Sequence, residues 1–127
     1  MSNLNSLYAH LGGEEGVIRL VKAYIKALQT LPGAQKLRRL YPEDLSKYEL
    51  RMTEFLSTWL GGPALYQERH GMPMLRESHR CFGIDGEARD AWMLCMRTAL
   101  QETVSDESLR LYLEGAFWRV ADSLRTS

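Results

Sequence analysis

His10, His70 and His79 are the three imidazoles of this chain, and histidine is the side chain most readily turned to metal binding or proton transfer near neutral pH. None has a second histidine or cysteine three or four residues away. That spacing argues against zinc, which draws three or four ligands from the protein. A macrocyclic iron cofactor asks for less, because a porphyrin brings four nitrogens and the protein need add only an axial one. The three histidines are not equivalent. His70 stands between Arg69 and Gly71 in a stretch without periodicity and reads as surface, while His10 precedes Leu11-Gly12-Gly13 and suits a helix end. His79 has Leu75 four residues before it and Phe82 three after, a spacing that is a weak signal by itself.

Thirteen residues beyond His79 stands Trp92. A tryptophan on an amphipathic helix is ordinarily core, and Tyr24, Phe55, Trp59 and Phe117 carry the same plain reading. Trp92 adds an indole N–H, which needs a partner once buried. A small polar ligand in a shared pocket would supply one.

The elements that must position these groups all read as helices, since no segment alternates with the period of two that marks a strand. Leu7, Tyr8 and Leu11 lie on a short first helix, closed by Gly12-Gly13. Val17, Leu20, Val21, Tyr24, Ile25 and Leu28 step by three and one, an apolar stripe on a helix over roughly 14–30. Leu31-Pro32-Gly33 ends it. Ser46-Lys47-Tyr48-Glu49 has the spacing of a capping box, which opens a helix facing inward through Tyr48, Met52, Phe55, Leu56 and Trp59 and stopped by Gly61-Gly62-Pro63. Residues 64–73 read as loop, and a short helix over about 74–80 carries His79. Asp85 caps a helix over 86–103 with Ala88, Ala91, Trp92, Cys95 and Ala99 on one face. Ser105-Asp106-Glu107 begins the last, whose stripe is Leu109, Tyr112, Leu113, Ala116, Phe117, Val120, Ala121 and Leu124. The fold class is all-α, and residues 1–127 form a single domain.

Composition narrows the function classes. Sixteen basic side chains balance sixteen acidic ones, so no strong field recruits nucleic acid or an anionic membrane. No apolar run approaches the ~20 residues of a membrane span. Met1-Ser2-Asn3-Leu4-Asn5 lacks the pattern of a secretory signal, and two cysteines, Cys81 and Cys95, are too few for a disulfide framework. A cytoplasmic protein is expected. Neither cysteine belongs to a C-x-x-C-H attachment motif, so any heme is held without a thioether bond.

Five fragments in order give the chain a family likeness. They are Leu11-Gly12-Gly13-Glu14-Glu15-Gly16; Arg39-Leu40-Tyr41-Pro42-Glu43-Asp44-Leu45; Phe55-Leu56-Ser57-Thr58-Trp59-Leu60-Gly61-Gly62-Pro63; His79-Arg80-Cys81-Phe82; and Arg89-Asp90-Ala91-Trp92. Together they resemble a group II truncated hemoglobin from about Leu7 to Leu124. The resemblance implies a two-over-two helical sandwich around heme b, with His79 as the iron ligand and its second nitrogen donating to a backbone carbonyl. It places Phe82 and Leu75 beside that ligand, Phe55 and Met52 against the heme from the distal helix, and Arg76 and Tyr66 at the propionates. Tyr41 and Trp92 match the distal hydrogen-bond donors.

Two places depart from the family pattern. The resemblance calls for a Phe-Tyr pair on the first long helix, with the tyrosine donating to bound ligand, and Tyr24-Ile25 stands there instead. Either Ile25 removes that donor, or a register shifted by one residue puts Tyr24 in its place. Tyr48 occupies a gate position where a small residue is usual, and it shares a face with Met52 and Phe55. Its hydroxyl either faces the ligand or turns to solvent.

The function implied is binding of dioxygen, with nitric oxide or carbon monoxide as other diatomic ligands. An enzymatic alternative, nitric oxide dioxygenation or peroxidase chemistry, needs a separate reductase. A heme-free helical interaction module is the alternative from another class. The expected assembly is a monomer or homodimer.

Overall fold

A computed structural model describes residues 6–63 and 85–123. Among them the regular structure is helical: α1 (Leu7–Leu11), α2 (Gly13–Thr30), a 3-10 turn (Pro32–Ala34), α3 (Gln35–Arg38), α4 (Ser46–Trp59), α5 (Gly86–Thr103) and α6 (Glu107–Ser123). α2 packs on α4, α5 packs on α6, and the two pairs meet chiefly where α2 crosses α5. That is the expected two-over-two arrangement.

α2 is the axle of the core. All six stripe residues, Val17, Leu20, Val21, Tyr24, Ile25 and Leu28, are buried, and so are Ala23 and Ala27 between them. Small residues on the flanks let α4 and α5 approach α2 from two sides at once. From α5 come Met93, Met96 and Leu100 as well as Ala91, Cys95 and Ala99. The buried face of α5 is thus wider than its sequence stripe, because α2 and α6 cover it from different directions.

The turn from α1 to α2 depends on glycine. Gly12 has φ 111° and donates its N–H to Ala9 and Tyr8 carbonyls, closing α1 in the left-handed conformation glycine adopts freely. One turn later Gly16 lies against the Leu11 carbonyl, where a β-carbon would fall on the oxygen itself. Gly16→Ala is expected to lower the unfolding free energy by about 2–3 kcal/mol, since backbone must move to admit the methyl group. Denaturant unfolding followed by circular dichroism measures it, and an unchanged midpoint would mean that α1 slides off α2 at no cost.

Helix starts divide into one success and one correction. Asp85 caps α5 as expected, its carboxylate accepting the Ala88 N–H at 2.8 Å. The capping box at Ser46 does not form. Asp44 accepts both the Ser46 N–H at 2.9 Å and the Ser46 hydroxyl at 2.8 Å, so the serine is turned backward, and Glu49 meets Lys22 of α2 at 3.2 Å. A carboxylate two residues upstream outcompetes the helix for the serine.

Other differences follow from position. The 3-10 turn and α3 were not anticipated after Pro32; α3 has four residues and buries only Leu37, too short for a periodic signal. On α6, Tyr112 is 57 % exposed although it sits in the sequence stripe, because among the described elements α6 packs chiefly on α5. On α4, Leu56 is buried with Glu54 and Ser57, while Tyr48, Met52, Phe55 and Trp59 are half-buried. Among the described residues no helix is long and apolar enough to cross a membrane.

Candidate functional site

α2, α4, α5 and the turn after α3 bring one group of aromatic side chains together. The Tyr24 ring lies 5.8 Å from Trp92 at a tilt of 50°. Trp92 in turn meets Phe117 of α6 edge-on at 6.0 Å, and Phe117 lies 5.0 Å from Trp59. On the other side Tyr41 and Tyr48 stand edge to face at 5.1 Å. Such offset and T-shaped contacts suit the ring quadrupoles and fix the rings relative to one another.

Tyr41 is not on a helix, so something else must hold it. Arg38, at the end of α3, directs its guanidinium at the turn and donates to the Pro42 and Glu43 carbonyls, both at 2.9 Å, and to the Tyr41 carbonyl at 3.5 Å. Five donors in a fixed plane let one arginine gather three successive carbonyls. Sequence reasoning passed over Arg38. The available signal was a cation just before a proline-containing turn, whose carbonyls have no helical partner.

Tyr24 is the unusual member. It is 2 % exposed, and its hydroxyl has no hydrogen-bond partner of good geometry. Burial, then the neighbouring Tyr41 hydroxyl, pushes its pKa well above the ordinary phenol value. Tyr41 is shifted up as well, by burial first, and the contact with Tyr24 works against that shift. The two hydroxyls therefore feel each other without closing a satisfactory bond. Both remain protonated at neutral pH and are able to donate. Cys95, three residues after Trp92, is fully buried, and burial pushes its thiol up to about 11. It is a protonated, space-filling thiol rather than a nucleophile.

The other expected site residues divide by location. Ile25 is buried beside Tyr24 on α2, and Met52 and Phe55 are half-buried on α4, packed against the core. Tyr48 keeps to the face it shares with Met52 and Phe55 and touches Tyr41. Trp92 is half-buried and packed between Tyr24 and Phe117. His79, Phe82, Leu75, Arg76 and Tyr66 lie outside the described residues, as does His70. His10 is exposed in the last turn of α1. The structure thus brings Tyr24, Tyr41, Tyr48 and Trp92 together as one aromatic cluster.

Comparison with known proteins shows the family. The model of the bacterial-like globin family matches residues 6–125. The group 2 truncated hemoglobin YjbI of Bacillus subtilis is 37% identical over 103 residues, covering 81% of this chain and 76% of that protein. Among solved structures, the cold-adapted truncated hemoglobin of Pseudoalteromonas haloplanktis superposes with a TM-score of 0.95 at 36% identity, over 97% of this chain and 99% of the other. The truncated oxygen-avid haemoglobin from Bacillus subtilis gives a TM-score of 0.87 at 34% identity, over 96% and 100%. Fold and relatives agree, and the chain belongs to the bacterial-like globin family as a group II truncated globin.

Proposed function

We propose that this chain holds one heme b through His79 and binds a diatomic gas, dioxygen foremost, against the wall formed by Tyr41, Trp92 and Tyr24. Family membership implies heme and a gaseous ligand; the assignment to these residues is the further step. The observation that carries it is the Tyr24 hydroxyl, buried beside the Tyr41 hydroxyl without a hydrogen bond of good geometry. Leaving such a group unsatisfied costs roughly 1–3 kcal/mol, so its retention in the core is explained when a small polar molecule completes it. The walls suit a flat apolar macrocycle: Met52 and Phe55 offer apolar surface, while Tyr41 and Trp92 add polar atoms to half-buried rings.

When bound, the heme supplies an iron centre that takes a diatomic molecule reversibly. The chain's own residues do the rest. His79 would give the iron its nitrogen ligand, with Leu75 and Phe82 close to it in sequence. Arg76 and Tyr66 would meet the propionates, where a guanidinium and a carboxylate pair well. Tyr41 and Trp92 donate to the ligand, and Arg38 keeps Tyr41 in place through the turn carbonyls. Nitric oxide and carbon monoxide fit the same space. The relative described as oxygen-avid supports dioxygen as the first ligand to test.

A visible absorption spectrum of the purified protein tests the reading. An intense Soret band is expected, which moves when the reduced protein is exposed to carbon monoxide or dioxygen. A protein that stays colourless after incubation with hemin would overturn it.

A further inference from the structure

Trp92 stands on α5 with its indole half-buried, and its own helix does not fix the plane of that ring. The outer torsion of an aromatic side chain is broad and roughly two-fold, so the neighbouring rings decide it. Tyr24 of α2 meets the indole with centroids 5.8 Å apart and planes at 50°. Phe117 of α6 meets it edge-on, at 6.0 Å and 64°. Phe117 is 1 % exposed, and its ring also touches Trp59 of α4 at 5.0 Å. Rings from four helices thus form one row, in which Phe117 links the two tryptophans.

α6, which brings Phe117, is held on α5 by two ion pairs. Arg89 meets Asp122 at 2.8 Å, and Arg97 meets Glu114 at 2.8 Å. The pairs are eight residues apart on each helix, 89 to 97 on α5 and 114 to 122 on α6, as a single antiparallel register requires. Trp92 and Phe117 both fall between them. The Arg89 guanidinium also lies over the Trp118 ring, 5.2 Å from its centroid. A slide of α6 by one turn would break both pairs, so Phe117 reaches Trp92 in one place. A phenylalanine in a core is ordinarily filler, and leucine or methionine would serve for volume. Aromatic pairs add a preference for offset or T-shaped approach, a directional hold that an aliphatic side chain lacks.

We propose that Phe117 is a positioning residue for Trp92, holding the indole in one posture so that its N–H keeps a constant aim at the bound gas. The aim rests on the gas-binding reading above; the posture of the ring does not. Without the Phe117 ring the indole loses one of the two rings that flank it among the described residues and takes more than one rotamer. A donor that is turned away part of the time holds the ligand less.

The test uses the heme-loaded full chain in its carbon monoxide form, labelled with 5-fluorotryptophan, so that Trp59, Trp92 and Trp118 each give a fluorine resonance. The line missing from Trp92→Phe belongs to Trp92. Phe117→Leu and Phe117→Met should each split or broaden that line and leave the Trp118 line sharp. Either variant should release dioxygen about three- to tenfold faster, up to the worth of one hydrogen bond. In a Trp92→Phe background the same changes should add less than about twofold, because contacting residues are coupled. A Trp92 line that stays single and sharp in both variants overturns the proposal. So does a gain in rate that is equal with and without Trp92, or broadening of all three lines, since each means that α6 has loosened as a whole. An unchanged rate in Trp92→Phe beside a split line in Phe117→Leu would sink the donor role of Trp92 and leave its positioning by Phe117 standing.

Discussion

His79→Ala is expected to leave the purified protein almost free of heme, with the Soret band lost and the heme-to-protein ratio down by at least about tenfold. Losing merely an outer partner of a metal ligand costs roughly 10–100-fold in metal affinity, and here the ligand itself goes. His79 lies outside the described residues, so the expectation rests on its sequence setting, with Leu75 four residues before it and Phe82 three after. The other histidines serve as controls. His10 is exposed at the end of α1, and His10→Ala should keep full heme. His70→Ala should do the same, because its sequence setting between Arg69 and Gly71 reads as surface. Heme is extracted from each variant and assayed as its pyridine complex against protein concentration. A His79→Ala protein that is fully loaded, with an unaltered band, would move the axial ligand elsewhere while leaving family membership intact.

What could be read before the structure follows a physical pattern. α2 was legible almost to the residue because its buried stripe, Val17 to Leu28, keeps an apolar step of three and one along most of the helix. α5 was legible at its start because Asp85 makes the cap that its type favours. α3 left no trace, since four residues that bury one leucine carry no period. Ser46 misled because local spacing says nothing of Asp44, which takes the serine first. Tyr112 misled because a stripe records which side chains are apolar, and α6 exposes some of them at the edge of the fold. The candidate site divides similarly. Residue types and order singled out Tyr41, Trp92 and Tyr48, but that Tyr24 touches Trp92 while its hydroxyl stays unpaired is a tertiary fact. No count along the chain reveals it.

That unpaired hydroxyl gives the donor question two separate readouts. If Tyr24 donates to the bound gas, Tyr24→Phe releases dioxygen about tenfold faster, the worth of one hydrogen bond of about 1–1.5 kcal/mol. The same change removes an orphaned polar atom from the core, so the ligand-free protein should become more stable, by about 1 kcal/mol. A gain in stability with an unchanged release rate would mean that the hydroxyl is a pure cost and the ligand never reaches it. Tyr41→Phe and Trp92→Phe keep most of the aromatic volume and delete a donor. Each should also speed release by nearly tenfold, and the pair together by roughly two orders of magnitude if the bonds are independent. Tyr48→Phe separates the remaining alternative. Tyr48 stands edge to face with Tyr41, so a modest effect through Tyr41 is expected, smaller than that of Tyr41→Phe itself. A larger effect would make Tyr48 the donor that Ile25 does not supply, and Ile25→Tyr in the Tyr48→Phe background should then restore slow release. Stopped-flow displacement of dioxygen by carbon monoxide measures every rate. If none of Tyr24→Phe, Tyr41→Phe and Trp92→Phe changes it beyond about twofold, which is within the ±0.5 kcal/mol of an inert substitution, the aromatic cluster is core and the ligand is held by other groups.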